Sequence, residues 1–101
     1  MSYTFKALSQ DEQDDIVVAY FTGLERDKFS HEINLNRFDA MLPNLPDGDF
    51  KKRISELRAD TASRLVEVDA LIAATEAQIP PADRLTASQQ RISSKAAAQS
   101  K

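Results

Sequence analysis

The sequence predicts an all-α protein, an antiparallel hairpin of two long helices with an extended N-terminal arm and a flexible or partner-ordered C-terminal tail. Apolar residues recur at helical spacing over residues 9–42 and again over 49–79. A segment with two prolines and an Asp-Gly pair separates these ranges, and the 101 residues include only 2 glycines. Residues 80–101 are rich in Ala, Ser and Gln, a composition that buries too little apolar surface to order itself.

The first helix is predicted to begin at Ser9. Ser9 and Glu12 have the spacing of a capping box, in which each side chain accepts the other residue's backbone N–H. Acidic residues in the following turn suit the positive end of the helix dipole. Apolar positions then advance in steps of three and four, which predicts packing against the second helix by Val17, Phe21, Leu24, Leu35 and Phe38.

The second helix is predicted to follow the segment PNLPDGD, residues 43–49, where the prolines and the Asp-Gly pair stop the first helix. Asp47 or Asp49 is expected to cap it. Its apolar stripe has a mean spacing close to the α-helical period, and the motif IPP ends it near Ile79. The residues expected to pack on the first helix are Ile54, Leu57, Leu65, Val68 and Ile72.

Several apolar residues fall outside these two stripes, in the N-terminal arm, on the first helix and in the tail. A hairpin of two helices covers each helix on one side only, so these side chains need a further neighbour. We therefore expect the chain to form a homo-oligomer, such as a four-helix bundle, or to contact other proteins of a larger assembly. The predicted partner-contact residues are Tyr3, Phe5, Phe29, Ile33, Leu85 and Ile92.

Charge is distributed unevenly along the chain. The net charge is −3, and residues 1–79 carry nine basic against fifteen acidic side chains. Residues 80–101 carry four basic side chains against one acidic. An acidic body repels phosphate backbones, so direct nucleic-acid binding is not expected. No apolar run reaches the ~20 residues of a membrane span. The N-terminus has no apolar signal region, which predicts cytoplasmic synthesis.

The residues offer little for catalysis or for a cofactor. The chain has one histidine, His31, and no cysteine, so neither a Cys/His metal set nor a Ser/His/Asp triad can be assembled. Either His31 forms a polar layer that sets the register of the helices, or it lies at the surface. The acidic run DEQDD and the segment PDGDF are better explained by helix capping than by cation binding. We expect no catalytic residues, no metal and no cofactor, and hence not an enzyme.

The stretch SQDEQDDIVVAYFTGLERDKF and the connection LPNLPDGDF resemble the small accessory proteins of tailed bacteriophage particles. Those proteins are short, cysteine-free helical hairpins with an extended end, and the similarity covers the layout of residues 2–92. It implies a structural or assembly component of a virion, present in many copies and held by its neighbours, and it transfers no functional residues. The alternative is a small acidic regulatory binding module, an inhibitor or adaptor that acts on a protein partner.

Overall fold

The computed structural model describes residues 4–99. A 3₁₀ turn, Phe5–Ala7, precedes helix α1, which spans Gln10–Met41. A second 3₁₀ turn, Leu42–Asn44, leads to α2, Asp49–Glu76, and α3 spans Ala82–Gln99. No strand occurs within residues 4–99, so the predicted all-α class is confirmed.

The start of α1 is built as a reciprocal cap. The Glu12 backbone N–H donates to Ser9 Oγ at 3.2 Å, and the Ser9 backbone N–H donates to Glu12 Oε1 at 3.4 Å. The Ser9 hydroxyl also donates to Glu12 Oε1 at 3.0 Å. These bonds satisfy backbone donors that the first turn of a helix leaves without partners. The helix therefore begins where the sequence motif requires.

The connection between α1 and α2 follows from its prolines and its glycine. Pro43 lies in the 3₁₀ turn that follows α1. Gly48 has a φ of 151°, a conformation that residues with a Cβ rarely adopt, and its carbonyl accepts the Lys52 N–H at 3.1 Å. Beside it, Asp47 pairs with Lys51 at 3.4 Å. This segment thus ends one helix and starts the next without a long loop.

The chain divides into two compact units. We call Leu24–Ala73 the central unit, and the described part of Met1–Gly23 with Ala74–Lys101 the terminal unit. In the central unit, the segments of α1 and α2 run antiparallel, because Lys28 pairs with Asp69 at 3.1 Å while Asp39 pairs with Arg58 further along. Its buried apolar residues are Leu24, Ile54 and Val68, all three of which the sequence predicted as packing residues.

The terminal unit contains α3 packed against the first turns of α1. Arg84 contacts Asp14, and Arg91, two turns later on α3, contacts Asp15 and Asp11. Ser88, between these two arginines, also contacts Asp15, so α3 lies along the start of α1. Val18 is the buried apolar residue of this unit, and its buried polar residues are Asp14, Thr75 and Ser88.

The helix α3 is a correction to the predicted hairpin. The prediction of two helices with an extended N-terminal arm and a flexible or partner-ordered tail is not confirmed, because residues 82–99 form a helix that packs within its own chain. The physical reason is that arginines and a buried serine, rather than large apolar residues, attach this helix to α1. At the other end of the chain, Phe5–Ala7 form a 3₁₀ turn instead of an extended arm.

Candidate functional site

A groove with a volume of about 370 Å³ lies in the terminal unit. Its apolar wall combines two positions one turn apart on α1 with an aromatic side chain from the first 3₁₀ turn. Phe5, Ile16 and Tyr20 keep 45%, 49% and 53% of their surface exposed. The full lining is Phe5, Gln10, Gln13, Asp14, Ile16, Val17, Tyr20, Thr75, Gln78 and Arg84.

One edge of the groove is a closed ion pair. Arg84 Nε donates to Asp14 Oδ2 at 2.9 Å and Arg84 Nη2 donates to Asp14 Oδ1 at 3.0 Å, a bidentate geometry. Gln10 Nε2 donates to the same carboxylate at 2.9 Å. The hydrogen bonds from Arg84 lower the pKa of Asp14 from its ordinary value of 3.8, and burial opposes this shift. The Asp14 carboxylate is therefore fully engaged and its charge is compensated.

A second cluster of the same kind lies beside it. Arg91 donates to Asp15 from Nε at 3.0 Å and from Nη2 at 2.7 Å. The Ser88 hydroxyl donates to Asp15 Oδ1 at 2.7 Å, and Ser88 has no exposed surface. The contact with Arg91 lowers the pKa of Asp15 from 3.8, and burial opposes this shift. Two of the four carboxylates at the start of α1, Asp14 and Asp15, are thus paired with arginines of the same chain.

These polar clusters attach α3 to the start of α1. A general base or a nucleophile needs an available lone pair near a bound substrate, whereas Asp14 and Asp15 already accept several hydrogen bonds each. Within residues 4–99, no group of three or more His, Asp or Glu side chains has the arrangement that could hold a metal ion.

His31, the one histidine, lies in the central unit with 16% of its side chain exposed. Its Nε2 is 3.5 Å from Asp27 Oδ1, one helical turn before it. A shallow surface formed by Asp60, Ser63, Arg64, Glu67, Val68 and Leu71 adjoins these two residues. His31 therefore lies at the edge of the contact between α1 and α2. Its burial is intermediate between the two alternatives that the sequence left open, a buried polar layer and a surface position.

The six predicted contact residues fall in different places. Tyr3 lies outside the described residues. Phe5 lines the groove, and Leu85 and Ile92 on α3 are half-buried in the terminal unit. Phe29 and Ile33 belong to the central unit, where they keep 55% and 59% of their surface exposed.

Sequence reasoning missed two residues of the groove, Ile16 and Tyr20. They lie beside the stripe that Val17 and Phe21 define, so the strongest helical period passed over them. Their separation of four residues was the available signal, because it places two large apolar groups one above the other on a helix. It also missed the carboxylate roles of Asp14 and Asp15, whose partners lie 70 and 76 residues away in sequence.

Comparison with known proteins found no match to this chain among family models, curated proteins or solved structures. Separately, none of the helices in the described residues has the length and apolar character that a membrane crossing requires.

Proposed function

We propose that this chain is a non-enzymatic structural or assembly subunit, which associates with copies of itself or docks with other proteins of a larger complex. The observation that carries the proposal is the distribution of its large apolar side chains. Among residues 4–99, four hydrophobic residues are buried. The large hydrophobic residues that remain exposed in this range are Phe5, Ile16, Tyr20, Phe29, Ile33, Phe50, Val66 and Leu71. An exposed set of this kind favours contact with another protein.

The particles of tailed bacteriophages are one kind of assembly in which such a subunit would serve, and the resemblance of the sequence favours that setting. The competing proposal, an acidic regulatory module, needs a surface with uncompensated negative charge. Arg84 and Arg91 pair with two of the four carboxylates in the most acidic run of the chain, which reduces the uncompensated charge that such a module needs.

Light scattering of the purified full-length chain at low and high salt tests the proposal. We expect a molar mass above 11.3 kDa that high salt leaves unchanged or raises, because apolar contacts are not screened. A mass of 11.3 kDa at every concentration, together with binding to a basic protein that salt abolishes, would favour the regulatory module.

A further inference from the structure

The outward face of α1 in the central unit carries an apolar stripe that nothing in the described chain covers. Every position of the stripe is exposed. Two of them are large, with Phe29 at 55% and Ile33 at 59% exposure. The positions advance by three, four, three and four residues, and they are Arg26, Phe29, Ile33, Asn36 and Ala40.

This spacing is the one that pairs two helices side by side. Residues that alternate steps of three and four form a seam along a helix, and two such seams pack in left-handed pairs of helices. In the central unit α2 occupies a different face of α1, since its ion pairs are made by Lys28 and Asp39. The seam centred on Phe29 and Ile33 is therefore open to a second helix.

The charges beside the seam select both the partner and its direction. Glu25, Glu32 and Asp39 flank one side, and Ser30 and Arg37 flank the other. In a parallel pair, a residue on the first side meets the residue five positions later on the partner, which places Glu32 against Arg37 of the second copy. An antiparallel pair centred on Phe29 and Ile33 would instead bring Glu32 against Glu32 of the second copy. Among residues 4–99, Arg37 has no ion-pair partner within 4.0 Å.

We infer that two copies of this chain associate through parallel pairing of their α1 helices, with Phe29 and Ile33 at the centre and two symmetric Glu32–Arg37 ion pairs at the sides. The inference rests on the proposed function, because it names the partner and the surface of that association. A two-fold axis along the seam makes the patch self-complementary. The polar residues Arg26 and Asn36 bound the apolar centre, so the contact is short and reversible.

Charge reversal tests this arrangement. Glu32→Arg places like charges together across a parallel pair, and Arg37→Glu does the same with the opposite sign. We expect each single variant to raise the dimer dissociation constant about tenfold or more. The double variant Glu32→Arg/Arg37→Glu, and an equimolar mixture of the two single variants, should return it to within about threefold of the native value. Sedimentation equilibrium provides the measurement.

Matched controls make the same charge changes on exposed positions of α2, away from the seam: Glu56→Arg and Arg53→Glu. These should leave the dissociation constant within about twofold of the native value. Circular dichroism checks that every variant retains its helix content.

The outcomes separate the two proposals. If both charge-reversal variants have the dissociation constant of the native chain, the parallel pairing is overturned but the proposed assembly function is not. Association that Arg37→Glu leaves unchanged while Glu32→Arg alters it indicates antiparallel helices, in which Arg37 does not meet Glu32, and it also overturns the inference. A native chain that stays at 11.3 kDa at all concentrations overturns the pairing and leaves docking with other proteins as the remaining form of the proposed function.

Discussion

Ser88 shows how a small polar residue can help to attach a helix that has few large apolar groups. It has no exposed surface, and its hydroxyl donates to Asp15 Oδ1 at 2.7 Å. A short side chain at this position lets α3 approach α1 closely, while the hydroxyl satisfies part of a carboxylate that the approach partly buries. Ser88 therefore joins packing and hydrogen bonding at one position.

Replacement of this residue gives a direct prediction. Ser88→Ala removes one partner of a charge-assisted hydrogen bond and should lower the free energy of unfolding by about 1–3 kcal/mol. Ser93→Ala is the matched control, since Ser93 is exposed on the same helix. It should be neutral or slightly stabilising, because alanine has the higher helix propensity. Urea unfolding measures both variants, and equal effects would contradict the role assigned to Ser88.

The paired carboxylates predict how stability responds to acid. Hydrogen bonds from Arg84 and Arg91 lower the pKa values of Asp14 and Asp15 in the folded chain below 3.8. A carboxyl group whose pKa is depressed on folding contributes stability that is complete above its unfolded value. That contribution disappears as the pH falls from 3.8 through the depressed folded value.

We therefore expect the contribution of these two carboxylates to the free energy of unfolding, measured with urea, to be nearly constant between about pH 7 and pH 5 and to fall below about pH 4. The variant Asp14→Asn/Asp15→Asn should be less stable than the native chain near neutral pH and should lose less stability on acidification. The free energy of unfolding is plotted against pH for the native chain and for the double variant. If the two plots remain parallel from neutral pH into the acid range, these carboxylates do not cause the loss of stability in acid.

At the scale of the element, α3 differs from α1 and α2 in what holds it. Leu85 and Ile92 are its two large apolar residues and both are half-buried, whereas Arg84 and Arg91 make bidentate contacts to α1. Attachment that depends on ion pairs and hydrogen bonds responds to salt more than attachment through apolar burial does.

Hydrogen exchange should reveal this difference. Raising the salt from about 0.1 M to about 1 M shortens the Debye length from about 10 Å to about 3 Å. We expect amides of Ala82–Gln99 to exchange several-fold faster at the higher salt, while amides near Ile54 and Val68 on α2 stay unchanged or become better protected. Uniform acceleration of all three helices would contradict an ionic attachment of α3.

The elements also show what the sequence could predict. The structure has α1 at Gln10–Met41 and α2 at Asp49–Glu76, and local signals lie near their ends: the Ser9–Glu12 capping box, the prolines with Gly48, and the motif IPP. No such local signal reveals α3, because it depends on contacts between residues more than 70 positions apart. The sequence did contain a hint. Arg84 and Arg91 are seven positions apart, as are Leu85 and Ile92, and they lie in an alanine-rich segment, which favours a helix.

The candidate groove was harder to anticipate than the helices. Phe5 was predicted as a contact residue, but its neighbours Ile16 and Tyr20 fall beside the strongest apolar stripe. Whether an apolar residue on a helix is covered depends on where the neighbouring helices end and on the path of the segments that connect them. That information is tertiary, and a helical period on its own does not contain it.

At the scale of the whole molecule, the large apolar residues among residues 4–99 range from buried through half-buried to exposed. Val66 and Val68 illustrate the division within one helix, with 70% and 6% of their surface exposed. Burial rather than residue type therefore decides how much each side chain stabilises the isolated chain. The exposed set contributes only when another surface covers it.

Val66 and Val68 allow the effect of burial to be tested with the same substitution at an exposed and a buried position. Val68→Ala should lower the free energy of unfolding by about 1–3 kcal/mol, because it removes buried methyl groups and leaves a cavity. Val66→Ala should change it by less than about 0.5 kcal/mol in dilute solution. Urea denaturation of both variants at low protein concentration checks this, and a comparable loss for Val66→Ala would mean that the isolated chain already covers that position.

Sedimentation equilibrium of the full chain near neutral pH tests association most directly, over concentrations from low micromolar to near millimolar. We predict a weight-average mass that rises above 11.3 kDa as the concentration increases. A mass that stays at 11.3 kDa throughout would contradict the central claim that copies of this chain cover one another's exposed apolar side chains.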